Sequence, residues 1–179
     1  MDEELGYEDL QDKGFWCQHG LNKEFAFVEL YGNKYGFELN NEKETNPYAP
    51  DLFQTYNNNY ADLKTQNTPF FKAQSLYNID PQFAVTFNKK DYVRYCEKYP
   101  NIAIYFAVDW IATKFSSNNK IITQVQPMKG IWWTDLSRIQ NLVQDYPLHS
   151  YLQRKNDRKG NAKDSYIFNL NDSRFTKLE

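Results

Sequence analysis

Pro50-Asp51-Leu52-Phe53-Gln54 and Tyr60-Ala61-Asp62-Leu63-Lys64-Thr65-Gln66 are the two stretches that decide the fold. Alternating residues of a strand share a face, so the second stretch predicts a strand with Tyr60, Asp62, Lys64 and Gln66 on one side. Ala61, Leu63 and Thr65 then point the other way, toward a core. Tyr56 to Asn59 predicts the turn between the two strands, because Asn tolerates left-handed backbone conformations. Such a hairpin brings Asp51 near Asp62.

Two carboxylates beside a lysine are suited to a divalent-metal site. Mg²⁺ prefers hard oxygen ligands and usually takes one or two protein carboxylates together with water and phosphate. Asp51 and Asp62 can share one ion, with Lys64 alongside. The alternative is an ordinary surface hairpin whose charges are solvated.

The acid-x-Lys triplet is a weak signal by itself. A chain with 23 acidic residues and 16 lysines contains such triplets by chance, and a second one occurs at Asp157-Arg158-Lys159. That second triplet lies in a run of charge beside Gly160, without strand alternation and without a preceding Pro-Asp. Pro50-Asp51 is the only Pro-Asp pair in the chain. The context therefore favours Asp62 over Asp157 as the acid of a metal-binding acid-x-Lys triplet.

The arrangement Pro50-Asp51 … Asp62-Leu63-Lys64 resembles the motif of the PD-(D/E)XK nuclease superfamily. The resemblance implies an α/β (α+β) protein with a restriction-endonuclease-like core: one helix, three strands, a second helix and a fourth strand around a mixed central sheet. It covers about residues 20–110 and identifies no subfamily. We expect a single domain over residues 1–179, in which residues 111–179 supply additional strands and a helix.

The same resemblance implies the roles of the site residues. Asp51 and Asp62 would bind Mg²⁺, or Mn²⁺ in its place, with help from the Leu63 carbonyl and from an acid of the first helix. Glu24 is favoured for that acid over Glu29, and a solvated helix glutamate is the alternative. Lys64 would position or activate the attacking water. Gln66 would hydrogen-bond a metal-bound water or the phosphate.

The expected activity is Mg²⁺-dependent hydrolysis of DNA phosphodiester bonds, most simply by an endonuclease, although the sequence leaves an exonuclease open. A catalytically silent nuclease-fold protein that binds nucleic acid or protein is the second reading. An unrelated α+β protein with a coincidental motif is the third. The resemblance also leaves a homodimer open, because the additional elements of this superfamily set substrate choice and dimer contacts.

Periodicity and capping signals predict the secondary structure independently of the motif. A helix with an apolar stripe of Leu21, Phe25 and Val28 comes first. The capping signals place Asn88 before a helix that runs through Tyr99, with Asp91 at the capping-box position, and they place Thr134 before a later helix. The predicted strands outside the hairpin are Tyr35–Asn40, Phe83–Phe87, Ile102–Ile111, Ile121–Val125 and Tyr166–Leu170.

Charge is unevenly distributed along the chain. The net charge is −2, which argues mildly against a nucleic-acid partner. A local basic segment can nevertheless contact phosphates. Five bases fall between residues 154 and 163, and we expect them to contact DNA unless they form a solvated loop: Arg154, Lys155, Arg158, Lys159 and Lys163.

Composition and cysteine usage narrow the remaining classes. Hydrophobic residues make up 41% of the chain and aromatic residues 17%, which is typical of a globular protein and not of a disordered one. Two cysteines and two histidines give neither a disulfide framework nor a convincing zinc site. The sequence shows no signal peptide and no long apolar run, so we expect a cytoplasmic protein without a membrane partner.

Overall fold

The protein is described here by a computed structural model that covers residues 13–152 and 163–179. Its fold is mixed α/β, as predicted, and it is built around a mixed central sheet. The helices and strands of the described residues are, in chain order, α1 (Lys13–Tyr35), β1 (Phe37–Leu39), a 3₁₀ helix (Asn41–Glu44), β2 (Leu52–Gln54), β3 (Asn59–Gln66), α2 (Ala73–Tyr77), a second 3₁₀ helix (Pro81–Phe83), β4 (Ala84–Asn88), α3 (Lys89–Lys98), β5 (Ala103–Asp109), β6 (Lys114–Ser117), β7 (Lys120–Gln124), β8 (Lys129–Asp135), α4 (Leu136–Asp145), β9 (Leu148–His149), β10 (Ser165–Asn169) and β11 (Thr176–Lys177).

The central sheet has six strands in the order β1-β2-β3-β5-β8-β11. β3 and β5 are parallel, and the other neighbours are antiparallel. A smaller antiparallel sheet has the order β4-β10-β9, and β6 with β7 forms a separate hairpin. The sequential order of α1, β1 to β3, α3 and β5 matches the predicted helix, three strands, helix and strand. β4, the additional strand before α3, lies outside the central sheet.

Both faces of the central sheet are covered, and β5 divides its side chains between them. Ile104, Phe106 and Val108 pack into one core, with β4, β10, α3 and α4. Ala103 and Tyr105 pack into the other, with α1 and β1. Period-two alternation explains the division, and burial on both sides explains why β5 is almost continuously apolar.

Several local signals are confirmed. The β2–β3 turn contains Asn58 with a φ of 53°, in the left-handed region. Asn88 caps α3 by accepting a hydrogen bond from the Lys90 N–H. The predicted strand Tyr35–Asn40 begins too early, because Tyr35 belongs to α1 and Gly36 forms the turn before β1. Gly36 has a φ of +69°, and a Cβ there would lie 2.9 Å from the Tyr56 ring. The turn into β1 therefore requires glycine.

Two details of the helix predictions are wrong. On α1, Phe25 is 55% exposed, and Phe27 is the residue that packs into the core. The predicted helix covered Leu21–Tyr31, whereas α1 covers Lys13–Tyr35. Its apolar residues do not repeat cleanly, so which face is buried depends on the position of β1. Asp135, and not Thr134, caps α4: the Asp135 side chain accepts from the Arg138 N–H, whereas the Thr134 hydroxyl donates to the Arg174 carbonyl at 3.0 Å.

Candidate functional site: paired aspartates at the β2–β3 hairpin

The register of the β2–β3 hairpin determines where the two motif aspartates lie. Leu52 pairs with Ala61, so the next position along the ladder sets Asp51 opposite Asp62. Asp51 directly precedes Leu52, the first residue of β2, and its side chain continues the contact with β3: Asp51 Oδ2 accepts a hydrogen bond from the Leu63 N–H at 3.0 Å. Side chains of directly opposed strand residues are neighbours. The structure thus brings Asp51 and Asp62 together, as predicted.

Asn40 fixes the backbone that carries Asp51. Its N–H donates to the Asp51 carbonyl at 3.0 Å, and its side-chain amide donates to the Pro50 carbonyl at 2.9 Å. Asn40 is itself buried, at 8% exposure. These contacts hold the Pro-Asp segment against the end of β1, so the Asp51 carboxylate has a defined position at the edge of β3.

Asp62 and Lys64 form a buried ion pair on one face of β3. The Lys64 ammonium lies 2.6 Å from Asp62 Oδ2, and Asp62 is only 3% exposed. Burial raises the pKa of Asp62, and the nearby charge of Asp51 raises it further, while Lys64 opposes both effects. The strand face that carries Asp62 and Lys64 is covered by β4 and α3, because the Lys64 ammonium lies 5.8 Å from the ring centroids of Phe87 and Tyr95.

Helix α3 supplies a second anion to Lys64. Asp91 Oδ2 accepts from the Lys64 ammonium at 2.6 Å, and Asp91 Oδ1 accepts from Arg94 at 2.7 Å. Burial by itself lowers the pKa of Lys64, but Asp62, Tyr95, Asp91 and Asp51 outweigh it and hold that pKa well above the ordinary lysine value. The ammonium is thus fixed between two carboxylates, one from β3 and one from α3.

Lys43 links Glu24 to Asp51. Its ammonium lies 2.9 Å from Glu24 Oε1 and 3.0 Å from Oε2, and it also donates to Asp51 Oδ1. Burial lowers the pKa of Lys43, but the two carboxylates outweigh burial and raise it overall. Glu24 of α1 therefore belongs to the same charged cluster as Asp51, through a lysine that the sequence did not single out.

The structure gives Gln66 a contact different from the predicted one. Its amide nitrogen donates to the Thr86 carbonyl at 2.8 Å, and its amide oxygen accepts from the Thr86 N–H at 3.1 Å. This pair of hydrogen bonds joins β3 to β4, between the two sheets. The predicted contact of Gln66 with water or phosphate stays a prediction, and it would require the amide to leave Thr86.

Three buried polar atoms of the described residues have no hydrogen-bond partner, and they all belong to this cluster: Asp62 Oδ2, Arg94 Nε and the Tyr95 hydroxyl. Asp62 Oδ2 is within ion-pair distance of Lys64, but no well-aligned hydrogen bond reaches it. An unsatisfied buried polar group costs about 1–3 kcal/mol. Such atoms concentrated at one place indicate a polar site with capacity for further ligands.

The donor set fits Mg²⁺. Asp51 and Asp62 supply two carboxylates, which is the usual number for this ion. The N–H and C=O of one strand residue point to the same edge, so the Leu63 carbonyl lies on the side where its N–H meets Asp51. Glu24 contacts Lys43, and its predicted part as a metal ligand stays a prediction. Among residues 13–152 and 163–179, no three His, Cys, Asp or Glu side chains are grouped to hold a metal ion.

The predicted basic segment is described only at its end. Lys163 is exposed and lines a cavity of about 620 Å³ together with Lys89, Lys90 and Arg94. Arg154, Lys155, Arg158 and Lys159 lie outside the described residues.

Sequence reasoning missed Lys43, Arg94 and Tyr95, and it gave Asp91 another role. Asp91 was expected to complete the N-terminal cap of α3, whereas its carboxylate contacts Lys64 and Arg94. The i, i+3 spacing of Asp91 and Arg94 was the one available signal, since such pairs meet on a helix. Nothing local marks Lys43.

Comparisons with family models, with curated proteins and with solved structures find no match to this chain. No helix in the described part of the chain has the length and apolar character needed to span a membrane.

Proposed function

We propose that this chain is a divalent-metal-dependent nuclease of the PD-(D/E)XK superfamily that hydrolyses DNA phosphodiester bonds, as an endonuclease. The observation that carries the proposal is the register that sets Asp51 opposite Asp62, with Lys64 fixed two residues further along β3. Burial and the charge of Asp51 raise the pKa of Asp62, although Lys64 contacts Asp62 and Lys43 contacts Asp51. A bound divalent cation would favour the charged form of Asp62. An ordinary surface hairpin does not require two carboxylates to lie opposite each other.

Each residue of the cluster has a chemical part in the proposed reaction. Asp51, Asp62 and the Leu63 carbonyl would hold Mg²⁺ or Mn²⁺, and a bound ion supplies charge neutralisation at the phosphate and an activated water. The Lys64 ammonium would donate hydrogen bonds to the attacking water and to a phosphate oxygen. Asp91 holds that ammonium in place from α3. Glu24 would act from the rim, through water.

A catalytically silent binding module is the second candidate, and Lys43 is the observation that favours it. Its ammonium already neutralises Glu24 and Asp51 without a metal ion. A site that satisfies its carboxylates with a lysine could retain the hairpin for structure alone. The two readings differ in turnover and in affinity for Mn²⁺.

The test is cleavage of supercoiled, linear and branched DNA in Mg²⁺, with EDTA as the metal-free arm. Asp51→Asn and Asp62→Asn should each abolish cleavage, because each removes an anionic ligand while keeping the shape of the side chain. Asp109→Asn is the matched control: it is a β5 aspartate, 51% exposed and paired with Lys129 at 3.6 Å. It should cut at the wild-type rate.

The outcomes separate the candidates. Cleavage by either site variant near the wild-type rate rules out the assigned site. DNA binding by wild type without cleavage under any metal condition favours the silent module. The substrate arms distinguish an endonuclease, which cuts closed circles, from an exonuclease, which requires ends.

We also propose a cytoplasmic location. Cys96 is a free thiol, and free thiols are typical of proteins in reducing compartments. Equal activity with and without a reductant would be expected, because Cys96 is not held in a disulfide.

A further inference from the structure

A basic cavity of about 620 Å³ lies along α3, next to the site described above. Among the described residues that line it, four are basic, Lys89, Lys90, Arg94 and Lys163, and two are acidic, Glu97 and Asp164. The chain as a whole carries a net charge of −2, so this excess of positive charge is local. A concave, positively charged surface on an acidic protein is suited to an anionic ligand.

The fold creates this cavity from two distant parts of the sequence. Lys90 and Arg94 are neighbours on α3 because residues four apart lie on one face of a helix, and Lys89, the first residue of α3, lines the cavity with them. The Lys89 N–H donates to the Asp164 carbonyl at 3.0 Å, and this bond brings Lys163 beside the start of the helix. The positive end of the α3 dipole adds to the charge of the side chains there.

Arg94 connects the cavity to the catalytic cluster. It lines the cavity, and it also donates to Asp91, which holds Lys64. Two side chains, Arg94 and Asp91, therefore connect the cavity to the Lys64 ammonium.

An exposed aromatic ring stands at the same place. Tyr48, which is 68% exposed, lies on the loop that leads to Asp51, and its ring centroid is 5.9 Å from the Arg94 guanidinium. Exposed rings beside basic grooves stack on the bases of nucleic-acid strands.

We propose that the α3 cavity binds the sugar-phosphate backbone of the DNA strand next to the phosphodiester that is cut, with Lys89, Lys90 and Arg94 contacting phosphates. The inference rests on the proposed nuclease function for the position of the cut. It concerns binding, however, and is tested without cleavage.

The experiment measures anisotropy of a fluorescein-labelled oligonucleotide, single- or double-stranded, with the full chain in EDTA over a range of KCl. The variant is Lys89→Ala with Lys90→Ala, since both side chains are exposed and their loss should leave folding intact. We expect roughly tenfold weaker binding and a slope of log affinity against log salt that is shallower by about 1–2, because two phosphate contacts are removed.

The matched control is Lys120→Ala with Lys129→Ala. These lysines are also exposed, they lie on β7 and β8, and their removal changes the net charge by the same amount. The control should keep the wild-type affinity and slope. Equal affinity and slope for wild type and the α3 variant would overturn the proposal, as would equal weakening by both double variants.

Further arms separate this inference from the proposed function. If wild type cleaves DNA but the α3 variant binds it normally, only the cavity assignment fails. If wild type never cleaves but the α3 variant loses affinity, the cavity assignment stands and the nuclease proposal fails. Competition by polyglutamate at the same charge concentration as DNA would show a general polyanion surface and overturn the assignment.

Discussion

Replacing Lys64 by Met tests the centre of the site. The substitution keeps an unbranched stem between Phe87 and Tyr95, whose ring centroids are each 5.8 Å from the ammonium. It removes only the positive charge between Asp62 and Asp91. If the ammonium positions the water, we expect single-turnover cleavage to fall by about 10²–10⁴, or roughly 3–5 kcal/mol of barrier. Lys64→Arg should not restore the rate, because a planar guanidinium cannot replace a compact ammonium.

The same change has a calculable effect on stability. Asp62 is 3% exposed, and removing one partner of a buried ion pair costs about 3–5 kcal/mol. Proton uptake by Asp62 reduces this cost, so we take about 3 kcal/mol. For a chain of this size, that corresponds to a fall in Tm of about 6–12 °C in EDTA. Adding Asp62→Asn to Lys64→Met should recover much of the loss, because the stranded charge is then gone.

The assays are single-turnover cleavage by rapid quench and thermal unfolding by circular dichroism. Lys129→Met is the control, since its exposed ion pair with Asp109 should be worth under about 1 kcal/mol. A Lys64→Met protein within threefold of the wild-type rate would leave this lysine without a catalytic role. An unchanged Tm, or a double variant less stable than the single one, would refute the buried ion pair.

Two further predictions concern other charges. Lys43→Met should tighten Mn²⁺ binding at least roughly threefold in electron paramagnetic resonance titrations, because a like charge beside Asp51 opposes the ion; unchanged affinity would argue that no metal enters there. Hydrogen bonds from Arg174 lower the pKa of Asp172 from 3.8 to about 2, so the folded state binds this proton more weakly than the unfolded state. The stabilisation, about 1–2 kcal/mol after allowance for solvent, is complete above pH 4 and is lost as the pH falls toward 2. The Tm difference between wild type and Asp172→Asn should follow the same course in pH-dependent unfolding, and a difference independent of pH would contradict it.

The sequence predicted most elements correctly because their signals are local. Asn58 in the turn, the Asn88 cap and the alternation of β3 each act within a few residues. The position of Asp51 opposite Asp62 also depends on a local signal, because a short hairpin fixes its own register. The failures have an equally physical cause. Phe25 was assigned to the buried face of α1, but which face is buried depends on where the sheet lies.

The surroundings of the aspartates were decided only by tertiary structure. Lys43 reaches Asp51 from a 3₁₀ helix, and Asp91 reaches Lys64 from α3, which is 27 residues further along the chain. Gln66 pairs with Thr86 because the two sheets meet at that point. Such contacts depend on how layers pack, and packing is set by the summed burial of many apolar side chains. The sequence therefore determined which carboxylates face each other, while the packed layers determined which cations hold them and how deeply they are buried.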